Sequence, residues 1–246
     1  MKTICILPAR MGSSRFPGKP LAPILGRPMI EHVFRRVRMC KFVDEVVVAT
    51  CDNEIRDAAM GFGCNVIMTS SSHARASDRV AEAAEKIDAG IVVMVQGDEP
   101  MVTPGMIETA VSAMQGESGA GCVNLMKKIE SVDEFNDRNT IKVVFDKNSY
   151  ALYFSREPVP TAHVCGFSAI NAYKQVCIIP FTRETLGLYA RLAPTPLENA
   201  ESVDMMRLLE HGHKIKMSET LVASHAVDTP ADLKKVEELM RKEALT

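Results

Sequence analysis

Three cations crowd one short segment near the start of the chain: Arg10, Arg15 and Lys19 stand among Gly12, Ser13, Ser14 and Gly18. Glycine leaves a ligand free to approach the main chain, because it has no side chain in the way. Serine adds hydroxyl donors. Together these residue types suit a polyanion, and phosphate above all. The residues just before them, Ile4-Cys5-Ile6-Leu7, form a short apolar run that predicts a fully buried strand. The C-terminal end of such a strand is where an open α/β sheet binds its ligand. A solvated basic loop after an edge strand fits the same residues. The segment is not a P-loop, because Pro20 follows Lys19 where Ser or Thr is required, and it is not the G-x-G-x-x-G fingerprint.

A second candidate is Gln96-Gly97-Asp98-Glu99-Pro100, in which the strand expected over 91–96 ends. A carboxylate placed there enters the crevice of a parallel sheet. Magnesium takes carboxylate and phosphate oxygens in octahedral geometry, so Asp98 is a candidate to hold it on a triphosphate. A turn or capping aspartate is the other reading of Asp98.

The elements that must position these groups follow from hydrophobic spacing. Residues 28–39 have helical spacing with Pro28 at the first position, and 43–50 is a β-branched strand. A helix over 53–62 closed by Gly63, a strand over 65–69, a helix over 77–87 capped by Ser77 and a strand over 91–96 come next. Alternating strands and helices predict an α/β fold with a doubly wound, mostly parallel sheet. Farther on, 106–114 reads as a helix, and 121–126, 141–146, 150–154, 173–180 and 214–217 as strands. The pair 141–154 forms a hairpin, one helix begins at Leu197 and runs through Arg207, and Thr229-Pro230 starts a last helix.

Composition narrows the partners. The 246 residues are 46% hydrophobic and 24% charged, with a net charge of −2, so bulk attraction to nucleic acid or an anionic membrane is not expected. Seven scattered cysteines without a Cys-x-x-Cys read as reduced core residues rather than a disulfide framework or a zinc site. No apolar run reaches spanning length and no leader pattern stands at the start, which predicts a soluble, cytoplasmic protein without membrane insertion.

The string Pro8-Ala9-Arg10-x-x-Ser13-x-Arg15-x-Pro17-Gly18-Lys19-Pro20-Leu21 resembles the signature loop of sugar-activating nucleotidyltransferases, and most closely that of the CMP-Kdo synthetases (3-deoxy-manno-octulosonate cytidylyltransferases). Gln96 to Pro100, residues 139–160 and residues 226–233 are similar to the same family. The resemblance implies a Rossmann-like, GT-A-like nucleotidyltransferase domain over 1–246, with an acceptor-binding and dimerisation subdomain over about 139–190. It implies Mg²⁺-dependent transfer of CMP from CTP to the anomeric hydroxyl of an acidic 2-keto sugar, with release of pyrophosphate. A homodimer serving lipopolysaccharide or surface polysaccharide synthesis is implied as well.

Carried onto this chain, Lys19, Arg10, Asp98 and Asp228 are the catalytic group, with Asp98 and Asp228 the metal carboxylates. Asp228 by itself also reads as a helix-preceding aspartate. The nucleotide would be held by Pro8, Ala9, Arg10, Gly12, Ser13, Ser14, Arg15 and Lys19, by Arg75, Ala76 and Ser77 at the base, and by Gln96 and Gly97. The acceptor would meet Gln96, Arg156, Gln175, Glu198 and Glu201, with Arg156 clamping a carboxylate bidentately.

The chain departs from the family pattern at Arg75 and Ala76, where Ser and Gly are usual. It departs again at Gln175, Cys177 and Ile179, in place of His, Gly and Tyr, and at Met205, in place of Gln. These changes predict a divergent member, its nucleotide half kept and its acceptor half altered. Two other readings fit the residues: a nucleotidyltransferase for another nucleotide or a non-sugar acid, and a nucleotide-binding module without catalysis. The retention of both Asp98 and Asp228 speaks against the second.

Overall fold

The computed structural model describes residues 1–12, 15–116, 120–223 and 225–243. The chain forms two compact units, one made of Met1–Glu108 with Ser224–Thr246 and the other of Thr109–Ala223.

The first unit is built on β1 (Thr3–Ala9), which is buried along its whole length. Ile4, Cys5, Ile6 and Leu7 have no exposed surface, as a strand with parallel neighbours on both sides requires. Each such aliphatic side chain contributes about 1.5–3 kcal/mol relative to exposure. After the basic loop, β2 (Pro23–Ile24) and β3 (Arg27–Pro28) pair antiparallel. Leu25 and Gly26 join them, both with positive φ, the pattern of a type I′ turn. Helix α1 (Met29–Arg38) turns Met29, Ile30, Val33, Phe34 and Val37 inward.

The alternation then continues through β4 (Glu45–Thr50), α2 (Asn53–Gly61), β5 (Asn65–Met68), α3 (Ala76–Glu85) and β6 (Ile91–Val95). The strands of this unit stand in the order β6-β1-β4-β5, all parallel. The chain therefore winds outward from β1 to β5 and returns to β1's other side, which places a topological switch point between β1 and β6. Helix α4 (Pro104–Gly116) leads into the second unit.

The second unit contains β7 (Val123–Lys128), α5 (Val132–Asn136), β8 (Lys142–Phe145), β9 (Ala151–Ser155), β10 (Tyr173–Val176), β11 (Ile178–Thr182), α6 (Arg183–Arg191), α7 (Pro196–Glu201), α8 (Met205–Glu210) and β12 (Lys216–Glu219). A mixed sheet runs β12-β7-β10-β8-β9, with β8 and β9 forming the expected antiparallel hairpin. The unit is wider than the expected subdomain over 139–190, because β7 and β12 lie in the same sheet as the hairpin. The single strand expected over 173–180 is two, β10 and β11. The single helix expected from Leu197 is also two, because Ser202 adopts a left-handed conformation (φ 52°) that ends α7. The chain then returns to the first unit with α9 (Pro230–Glu243), which begins at Pro230 as expected. Val227, Val236 and Met240 pack there with Ile24, Met29 and Met101.

No helix among the described residues is long and apolar enough to cross a membrane. Cys5, Cys40, Cys64 and Cys122 are buried thiols, and burial pushes the Cys64 thiol up to about 12.

Candidate active site

The site lies beyond the C-terminal ends of β1 and β6. Lys19 follows the loop after β1, and its Nζ donates to Asp98 Oδ2 at 2.6 Å and to Asp228 Oδ1 at 3.3 Å. Arg15 Nη2 donates to the same Asp228 oxygen at 2.9 Å. One ammonium thus gathers two carboxylates that are 130 residues apart in the chain, at positions 98 and 228. Lys19 is 13% exposed, while Asp98 and Asp228 keep 24% and 22% of their side-chain surface. Burial alone would lower the Lys19 pKa, but Asp98 and then Asp228 outweigh it, and the net shift is upward.

Local structure explains why these groups meet. Gly97 precedes Asp98 where the chain crosses closely over β1. A Cβ there would lie 3.0 Å from the Pro8 carbonyl oxygen and 2.9 Å from Ile30 Cδ1, so only glycine fits without displacement. Pro8 and Ala9 are buried at the end of β1. The Val227 amide donates to the Asp98 carbonyl at 2.9 Å, which brings Asp228 to the site. Asp232, in the first turn of α9, then accepts from the amides of Asp228 and Thr229 at 3.1 and 2.8 Å. Asp228 is therefore positioned by a cap rather than serving as one.

Three described amides of the loop after β1 are engaged within the protein rather than open as a cradle of main-chain donors. Met11 N–H is taken by Asp52 Oδ2 at 2.7 Å, Gly18 N–H by the Met11 carbonyl at 3.0 Å and Lys19 N–H by the Phe16 carbonyl at 3.2 Å. Gly18 has φ +72°, a left-handed conformation that lets the chain turn into Lys19. Arg10 and Gly12 are exposed, and a Cβ at Gly12 would meet nothing within 4 Å. Ser13 and Ser14 lie outside the described residues.

The segment leading into α3 holds Arg75, Ala76 and Ser77. Arg75 occupies the N-cap position and Ala76 begins the helix, so Ser77 is not the cap that its residue type suggests. Ser77 is buried, with Oγ 3.7 Å from the Met94 sulfur. Arg79 is buried and donates to Thr69 Oγ1 and, at 3.4 Å, to Cys51 Sγ. From within α3, Glu82 clasps the preceding loop by accepting from Ser70 N–H at 2.8 Å and bonding His73 Nε2 at 2.5 Å. Burial would raise the Glu82 carboxyl, but the Ser70 amide, His73 and Lys86 prevail and hold it down to about 2.

The residues expected at the acceptor behave differently within the second unit. Glu198 has no exposed surface, and Arg207 grips it through Nε at 2.8 Å and Nη2 at 2.7 Å, while Thr195 N–H donates to it at 3.2 Å. It holds α7 to α8, and both its carboxylate oxygens are engaged inside the protein. Arg156 does not form the expected free fork for a carboxylate. It donates to the carbonyls of Glu201, Arg138 and Ser202 at 2.6, 2.9 and 3.3 Å. Glu201 accepts from Tyr153 OH at 2.9 Å and from Arg156 N–H at 2.8 Å. Gln175 donates to Asn124 Oδ1 at 2.6 Å. Of the departures from the family pattern, Ile179 and Met205 are buried, and Met205 lies against the Cys122 sulfur at 4.0 Å. They answer to core packing.

Sequence reasoning overlooked Asp52. It stands at the end of β4 as Asp98 stands beyond β6, and that shared placement is the signal that could have found it.

The sequence profile of the Cytidylyltransferase family matches residues 4–215, a span that includes Lys19 and Asp98. A 3-deoxy-manno-octulosonate cytidylyltransferase from Geobacter metallireducens is 43% identical, covering 98% of this chain and 99% of its own. One from Thermodesulfovibrio yellowstonii is 42% identical, covering 98% of each. Among solved structures, a CMP:2-keto-3-deoxy-manno-octonic acid synthetase complexed with CTP superposes with a TM-score of 0.91. It is 39% identical, with 99% of this chain and 100% of that one covered. With its basic loop, its two carboxylates and likeness over essentially its full length, the chain belongs to the 3-deoxy-manno-octulosonate cytidylyltransferase family.

Proposed function

We propose that the chain transfers CMP from CTP to the anomeric hydroxyl of 3-deoxy-manno-octulosonate (Kdo), releasing pyrophosphate. The observation that carries this reading is the meeting of Lys19, Asp98 and Asp228 beyond β1 and β6. The relative solved with CTP, alike over the whole chain, supports the nucleotide. The anomeric oxygen attacks the α-phosphorus; the new P–O bond forms as the bond to the pyrophosphate oxygen breaks, and the hydroxyl proton goes to solvent. Such a transfer needs positioning and charge stabilisation rather than a covalent enzyme intermediate.

Arg10, Arg15 and Lys19 neutralise the triphosphate. Arg75, Ala76 and Ser77 border the base, and Gln96 and Gly97 border the transferred group. The donor set suits a divalent cation: two hard carboxylate oxygens, of Asp98 and Asp228, already converge on one positive charge. Asp98 and Asp228 would hold Mg²⁺, which when bound supplies further neutralisation of phosphate oxygens. Kdo is the acceptor of choice because relatives about 40% identical over the whole chain are named for it; Ile179 and Met205, which depart from the family pattern, are buried. The working form is a cytoplasmic homodimer, as the family resemblance implies.

Pyrophosphate release tests the reading, measured with Mg²⁺, each of the four nucleoside triphosphates and a panel of acid sugars that includes Kdo. Release with CTP and Kdo is expected. Release only with another nucleotide or another acid, or silence across the panel with CTP binding intact, would overturn it.

A further inference from the structure

Asp52 occupies the N-cap position of α2, with φ −102° and ψ 127°, yet its side chain makes no bond to that helix. An aspartate at an N-cap ordinarily accepts from the second or third amide of its own helix. Here Oδ2 accepts instead from Met11 N–H at 2.7 Å, and the Asp52 amide donates to Thr50 Oγ1 at 3.1 Å on the end of β4. The Met11 carbonyl takes Gly18 N–H at 3.0 Å. Both polar main-chain groups of Met11 are therefore engaged, one closing the neck of the loop 11–18 and the other tying that neck to β4. Arg10 precedes the neck, Arg15 lies within the loop and Lys19 follows it. The same Asp52 Oδ2 is 3.7 Å from the Cys51 thiol, whose sulfur receives Arg79 at 3.4 Å.

We propose that Asp52 is a positioning residue for the nucleotide: the hydrogen bond it accepts from Met11 N–H holds the loop so that Arg10, Arg15 and Lys19 are set before the triphosphate arrives. This rests on the CTP reading above. A loop ordered in advance lowers the ordering cost of binding, so its loss appears in affinity for the nucleotide rather than for the sugar.

Two variants of the full chain test it. D52S retains a residue able to cap α2 but is too short to reach Met11. D52N retains an oxygen that can accept from Met11 N–H. In D52S the KM for CTP should rise about tenfold, with the KM for Kdo unchanged and amide exchange at Met11 and Gly18 faster. D52N should stay within about threefold of wild type. A general loss of fold would instead lower kcat at an unaltered KM for CTP. D52S with wild-type KM for CTP, or D52N as impaired as D52S, would overturn the inference. Wild-type protein without affinity for CTP would overturn the nucleotide reading and this inference with it, whereas affinity kept equally by wild type and D52S overturns this inference alone.

Discussion

Replacing Asp98 by asparagine separates a functional carboxylate from a structural one. Among the described residues its side chain pairs with Lys19 alone, at 2.6 Å, and it keeps 24% of its surface exposed. Solvent screening on that scale limits the stability held in the pair to about 1 kcal/mol, the upper end for exposed ion pairs. Lys19 also retains Asp228 at 3.3 Å, and Asp228 retains Arg15 at 2.9 Å, so the remaining charges stay compensated. At roughly 2–4 °C per kcal/mol for a chain of this length, D98N should shift the melting temperature by only a few degrees. Turnover should fall far more. Removing a group that supports charge developing in the transition state typically costs on the order of 10²–10³ in kcat, or about 2.7–4 kcal/mol. The assay is pyrophosphate release at saturating CTP and Kdo, alongside a thermal melt. Near-native turnover in D98N would refute the assignment of Asp98. A melting drop above about 10 °C would show that Asp98 serves the fold, and the loss of activity could no longer be read as chemistry.

Further outcomes follow from neighbouring features. E198A leaves Arg207 buried without its carboxylate and should cost about 3–5 kcal/mol, read as a lowered urea midpoint; an unchanged midpoint would contradict the holding role. G97A forces a methyl against the Pro8 carbonyl and Ile30, for a cost of about 1–3 kcal/mol in the same urea titration. The Glu82 clasp depends on pH in a defined direction. Its folded pKa, about 2, lies below the unfolded carboxylate value of about 4.3, so its stabilisation is full above the latter and is lost as pH falls through about 2. The protection factor of the Ser70 amide should fall as pH drops across that window, and E82Q should remove the acid dependence; a Ser70 protection factor insensitive to both would refute the clasp.

The sequence alone determined those parts in which one local signal suffices. The apolar run before Arg10 specifies β1, because a strand between two parallel neighbours must be apolar on both faces. The alternation of periods specifies the α/β winding, and a carboxylate after a strand end marks Asp98. Thr229-Pro230 likewise specifies the start of α9. Boundaries that depend on a conformation rather than a pattern were not legible. Ser202 breaks a helix by adopting positive φ, although its residue type signals no such break.

The structure alone decided which polar side chains are spent internally. Glu198 and Arg156 carry the right chemistry for an acceptor, but Arg207 and main-chain carbonyls take their bonding atoms. Asp228 and Asp52 illustrate the converse. One is brought to Lys19 by a main-chain bond between Val227 and Asp98, the other reaches Met11 across two adjacent strands. Residue type states what a side chain can bond; only long-range chain pairing, set by the packing of the whole sheet, states which partner reaches it first.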